Sequence, residues 1–204
     1  KKTVLVFGTH SELLPAHFKA FESTTKALNL CVADAYIDLN ESAENESYLT
    51  RIIHHTPGFL FNVSHLASQM YLNEPGYVQL MDAMLFDVAR LGIIRNNVAD
   101  AEPFLRNADL VSFHASSVKL TDFPAQLAGS ANGLLSEDAC ALMRFAGLGN
   151  QVRSAGIYDY WSDLDNGQQG AKLAAQMLWH FIDGYYHRVN ENPLTNENDF
   201  IRYQ

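Results

Sequence analysis

Leu30-Cys31-Val32-Ala33-Asp34-Ala35-Tyr36-Ile37-Asp38 is the stretch that decides the fold. Four consecutive apolar residues read as a strand buried on both faces, the habit of a parallel sheet. Two carboxylates follow at once, beyond the strand's carboxyl end, where open parallel sheets gather their ligand sites. Two other stretches share this layout. Residues 3–7 form a short apolar run ended by Gly8 and followed by Thr9-His10-Ser11. Residues 108–113 form another, running into His114-Ala115-Ser116.

Around these, residues 59–63 and 152–158 read as further strands, the second leading to Asp159. Helices are predicted over 15–27, with Pro15 in the first turn, over 47–54, and over 74–91, between Pro75 and Gly92. Ser136 reads as the N-cap of a helix to about 146. Residues 170–187 carry Leu173, Met177, Phe181 and Tyr185 at i+4 steps, a core-facing stripe. Residues 121–133, rich in Gly, Ala and Pro, read as a loop. Strands alternating with helices give an α/β, three-layer α/β/α domain with a mostly parallel sheet over residues 1–189. Residues 190–204 read as a polar tail or the start of an extra strand. The chain lacks an initial Met and enters a strand by residue 3, so a longer protein with further N-terminal elements is expected.

At 204 residues and 48% hydrophobic content the chain can bury one full core. A net charge of −9 argues against nucleic acid or an anionic membrane as partner. No apolar run reaches the roughly 18 residues of a membrane span. Two cysteines, Cys31 and Cys140, without CxxC spacing point to structural thiols in a reducing, cytoplasmic compartment.

Four strand ends thus place His10, the Asp34–Asp38 segment, His114 and Asp159 on one rim. Asp34, Tyr36 and Asp38 alternate and share one face of an extended segment. Two carboxylates there repel unless a cation or hydrogen-bond donors lie between them; both readings stay open, since either carboxylate can also cap a turn. His10 and His114 can ligate metal or bond the loop backbone, and Ser116 offers a weak neutral ligand. Asp159 can orient a cationic substrate or cap a turn. His65, after the third strand, is a candidate substrate contact. His54 and His55 suit a helix C-terminus, and His17, His180 and His187 receive no role.

In order, Gly8-Thr9-His10-Ser11, Asp34-Ala35-Tyr36-Ile37-Asp38, Ser112-Phe113-His114-Ala115-Ser116 and Asn132-Gly133-Leu134 resemble the motifs of the ureohydrolase family (arginase, agmatinase, formimidoylglutamase), its formimidoylglutamase-like members most of all. The resemblance implies the family's three-layer fold and a metal-dependent hydrolase ancestry, with two Mn²⁺ holding an attacking hydroxide between two His and four Asp. It also implies that His10, Asp34 and Asp38 are retained ligands. Tyr36 stands where the family has a second histidine, and His114 and Ser116 where it has two aspartates. Asp159 falls where the family places a Glu near the substrate.

Two carboxylates cannot balance two divalent ions, so a binuclear Mn site is not expected. One ion on His10, Asp34, Asp38 and His114 would be balanced, its nitrogen content favouring Zn, Co or Ni over Mn. Two functions follow. One is a member without arginase or formimidoylglutamase activity, holding no metal and serving as a scaffold, regulatory subunit or binder of an amino-acid-like ligand. The other is a mononuclear metal-dependent hydrolase of C–N bonds in linear amidines, of formimidoylglutamate or guanidino type. A homo-oligomer is expected in either case.

Overall fold

A computed structural model describes residues 2–40 and 47–189 of the chain. The expectations for residues 190–204 lie outside the described residues. The six strands are β1 (Val4–Phe7), β2 (Leu28–Ala33), β3 (Leu60–Ser68), β4 (Asp87–Arg90), β5 (Leu110–His114) and β6 (Ser154–Tyr158). They form one sheet in the order β1-β6-β5-β2-β3-β4. Every pairing is parallel.

Among the described residues six α-helices lie between strands, α1 (Leu14–Lys19), α2 (Tyr48–Ile53), α3 (Pro75–Ala83), α4 (Leu91–Asn96), α5 (Glu102–Arg106) and α6 (Ser136–Leu148), and α7 (Gln169–Tyr186) follows β6. Strand β2 shows how the layers arise. Leu28, Leu30 and Val32 pack with Phe18 of α1, Leu49 of α2 and Met81 of α3. Cys31 and Ala33, on the opposite face, pack with Ile94 of α4, Leu105 of α5, Met143 of α6 and Met177 of α7. The sheet is therefore covered on both sides, as its apolar runs require. Helices α6 and α7 meet at two glycines. A Cβ on Gly147 would sit 2.1 Å from the Phe181 carbonyl oxygen, and one on Gly184 would sit 2.3 Å from that of Arg144.

Four expectations need correction. The helix expected over 74–91 is α3 alone; Leu85, at φ 61°, turns the chain, and β4 then pairs with the edge of β3. Helical propensity lost there to sheet pairing and to the packing of Phe86 and Val88 on the core. Gly92 is the second residue of α4 rather than a terminator. The first predicted helix is shorter: a 3-10 turn over Ser11–Leu13 precedes α1, which ends at Lys19. Ser136 is the first residue of α6 rather than its cap; the Asp138 carboxylate accepts from Leu135 N at 3.0 Å, and Asp122 accepts from Ser136 N and Oγ.

Candidate functional site

The carboxyl ends of β1, β2, β5 and β6 open onto a cleft of about 370 Å³. His10, Asp34, Tyr36, Asp38, Ser116 and Asp159 all line it, with Trp161 and Leu127 on its walls. The His10 ring meets Trp161 edge-on, with centroids 4.7 Å apart. His114 and His65 are not at the cleft surface; both are fully buried.

Asp34 is the hub, although its carboxylate has few lone pairs to spare. Its Oδ1 accepts from Tyr36 N at 3.1 Å and from the Ser116 hydroxyl. Its Oδ2 accepts from the Tyr48 hydroxyl at 2.9 Å. His114 Nδ1 lies 3.7 Å from the same oxygen and donates to Asp159 Oδ2 at 2.9 Å. The other ring nitrogen of His114 bonds Ser112 Oγ at 2.8 Å. The imidazole is stacked between Tyr48, at 4.7 Å, and Tyr158, at 5.4 Å. Asp159 is held in a left-handed conformation, φ 63°, and accepts from Ser11 N at 2.7 Å through its other oxygen.

Electrostatics follows from this geometry. Burial pulls the His114 pKa down, but Asp34, the Asp159 hydrogen bond and Asp38 overcome it and raise it above the usual imidazole value. Burial pushes Asp159 up, yet its bonds from His114 and Ser11 leave it below the usual carboxylate range. Asp38 goes the other way: burial and the neighbouring Asp34 push it up to about 6. Burial and then Asp34 raise the Tyr36 phenol, which therefore offers a neutral oxygen.

A metal fits this donor set poorly. Both His114 nitrogens are spent, and hydroxyl and amide donors occupy the Asp34 oxygens. Among the described residues no three His, Cys, Asp or Glu side chains are grouped as a metal ligand set. His65, expected to follow a third strand ending at residue 63 and to contact substrate, lies inside β3, which runs on to Ser68, and donates from Nε2 to the Tyr36 carbonyl at 3.0 Å. It does not line the cleft. Tyr48 was missed from sequence, and Ser112 was quoted within a motif but given no role. Only Ser112 carried a signal, lying two residues before His114 on the same strand face.

Comparison with solved structures agrees with this architecture. The chain superposes on Trypanosoma cruzi formiminoglutamase with a TM-score of 0.81 at 16% identity, covering 92% of this chain and 65% of that one. The fold is that of the ureohydrolases. Formimidoylglutamase from Bacillus subtilis gives 0.81 at 15% identity over 90% of this chain and 61% of that one. Bacillus subtilis arginase gives 0.78 at 15% identity over 89% and 72%. The chain thus spans about two thirds of the length of these ureohydrolase-fold proteins. No protein-family model matches the chain, and no curated protein matches it. Among the described residues no helix is long and apolar enough to cross a membrane.

Proposed function

We propose that this chain is a ureohydrolase-fold protein in which a hydrogen-bond network has taken over the place of the binuclear metal centre. It lacks arginase or formimidoylglutamase turnover and acts as a binder of small ligands or as a scaffold. One observation carries this reading: the Asp34 carboxylate accepts three hydrogen bonds, from Tyr36 N–H, Ser116 O–H and Tyr48 O–H, with the His114 ring beside it. Donors that a metal would have to displace hold the carboxylate, and an imidazole supplies the compensating charge from within the protein.

The residues assigned to the site are His10, Asp34, Asp38 and Asp159 at the cleft surface, with Tyr36 and Ser116 as altered ligand positions and His114 as the internal counter-charge. Residues 1–189 constitute the ureohydrolase-like domain. Restoring the family pattern tests the reading. The triple substitution Tyr36→His, His114→Asp, Ser116→Asp is expected to create Mn²⁺ binding absent from the parent chain, read by calorimetric titration. Tight Mn²⁺ binding by the parent itself would overturn the proposal.

A second reading is favoured by one feature, the close pair Asp34 and Asp38 on an otherwise open cleft. Asp34 and burial both disfavour the Asp38 charge, so a cationic amidinium or a single divalent ion beside it would relieve it. In that case the chain is a mononuclear hydrolase of linear amidines, and loading with Zn²⁺ or Co²⁺ should yield ammonia from formimidoylglutamate or a guanidino acid. Absence of ammonia release from a metal-loaded sample would leave only the binding role.

A further inference from the structure

A second cleft, of about 740 Å³, opens at the carboxyl ends of β3 and β4 and shares no lining residue with the first. Ser68, Arg90 and Arg95 line it. Its volume is in the range of small-molecule sites. Gln69 and Tyr71 form one wall, tied to the 130-region: Gln69 Nε2 donates to the Asn132 carbonyl at 3.2 Å, and the Tyr71 hydroxyl bonds Gln69 and Ser130.

Three features of this cleft are unexplained by folding. Arg90 and Arg95 are exposed, and neither guanidinium has a hydrogen-bond or ion-pair partner among the described residues. The acidic residue of β4, Asp87, is turned to other work, accepting from Asn62 at 3.0 Å and Ser64 at 3.2 Å. The Ser68 side chain is 1% exposed, and its Oγ has no partner. Finally, the β3–β4 register slips between Leu66 and Ser68, with the buried Ala67 at φ 67°, and the slip sets Ser68 opposite Arg90. Bulges of this kind re-aim side chains at sites, and a buried left-handed alanine is a strained conformation that needs a reason.

We propose that this cleft binds a small oxyanion, a carboxylate or a phosphate, between the Arg90 and Arg95 guanidiniums with the Ser68 hydroxyl as the buried donor. Arginine's planar fork matches both groups. With a net charge of −9 the protein as a whole repels anions, so retention of one needs a built local site. The inference is independent of what the first cleft does.

The test is calorimetric titration of the whole chain at low salt with inorganic phosphate and, separately, with succinate. Saturable one-to-one binding of either is expected, and the preferred anion identifies the source. Arg90→Gln and Arg95→Gln should each weaken it by about tenfold or more, the value of a charge-assisted hydrogen bond. Arg90→Lys should weaken it too, because the fork is lost while the charge remains. Arg144→Gln, which removes the same charge from α6, should leave binding unchanged. No saturable binding of either anion up to about 10 mM, or binding that Arg90→Gln and Arg95→Gln leave intact, would overturn the proposal.

Discussion

The His114 imidazole lies fully buried between the rings of Tyr48 and Tyr158, bonded to Asp159 and Ser112 and facing Asp34. Removing one partner of such a buried pair strands the other, at a cost of about 3–5 kcal/mol. His114→Leu should therefore lose roughly that much in urea unfolding, and a loss under about 1 kcal/mol would show the bridge to be dispensable. The pH dependence has a definite sign. The His114 pKa is raised on folding, so its contribution is present at low pH and fades as pH rises through the folded value. Asp159, depressed on folding, contributes above the unfolded carboxylate value and is lost as pH falls through the folded one. Asp38 runs in the same direction as His114 and against Asp159: burial and Asp34 push it up to about 6, so its charge costs stability as pH rises through that value. Asp38→Asn should accordingly stabilise the protein at pH 8 by about 1–2 kcal/mol after allowance for solvent screening. Thermal melts at pH 8 and pH 4 check this; a gain that persists at pH 4 would assign it to something other than charge. At this scale, the sequence showed which polar residues follow apolar strands, hence His10, Asp34, Asp38 and Asp159. It did not show how their hydrogen bonds are spent. The Ser116 hydroxyl reaches Asp34 across 82 residues, and Tyr48 reaches it from α2, contacts that no local pattern encodes.

At the scale of elements, the strands with continuous apolar runs were legible because burial on both faces leaves an unambiguous pattern. β2, β5 and β6 all fall where the sequence places them. β4 did not show, since Asp87-Val88-Ala89-Arg90 is four residues long, charged at both ends, and continuous in periodicity with α3. Its strand character comes from the open edge of β3, a neighbour supplied by the fold. The helix pair α6 and α7 makes a sharper prediction. The two backbones approach so closely at Gly147 and Gly184 that a methyl group would overlap carbonyl oxygens on the facing helix. Backbone cannot rotate away as a side chain can. Gly147→Val should separate the pair and cost about 2–3 kcal/mol or more, read from urea midpoints. A variant with wild-type stability would mean the helices can slide apart freely.

For the whole molecule, one parallel sheet covered on both faces brings four strand ends to a single cleft, and a fifth and sixth end open a second. Parallel strand ends make such a rim whatever chemistry is placed on it, so the fold alone does not fix the activity. In the first cleft the carboxylate hub is neutralised by hydrogen bonds and an internal imidazole. On the proposed reading that arrangement holds the fold without a metal, and it predicts that metal is not required for folding. The most direct test is metal content by mass spectrometry after dialysis of the protein against Mn²⁺, Zn²⁺ and Co²⁺ in turn, followed by metal-free buffer. Less than about 0.1 equivalent of any of the three retained, at micromolar protein, is the expected result. Retention of one equivalent or more, lost in Asp34→Asn, would show that the cleft still binds metal and contradict the replacement of the metal centre by hydrogen bonds.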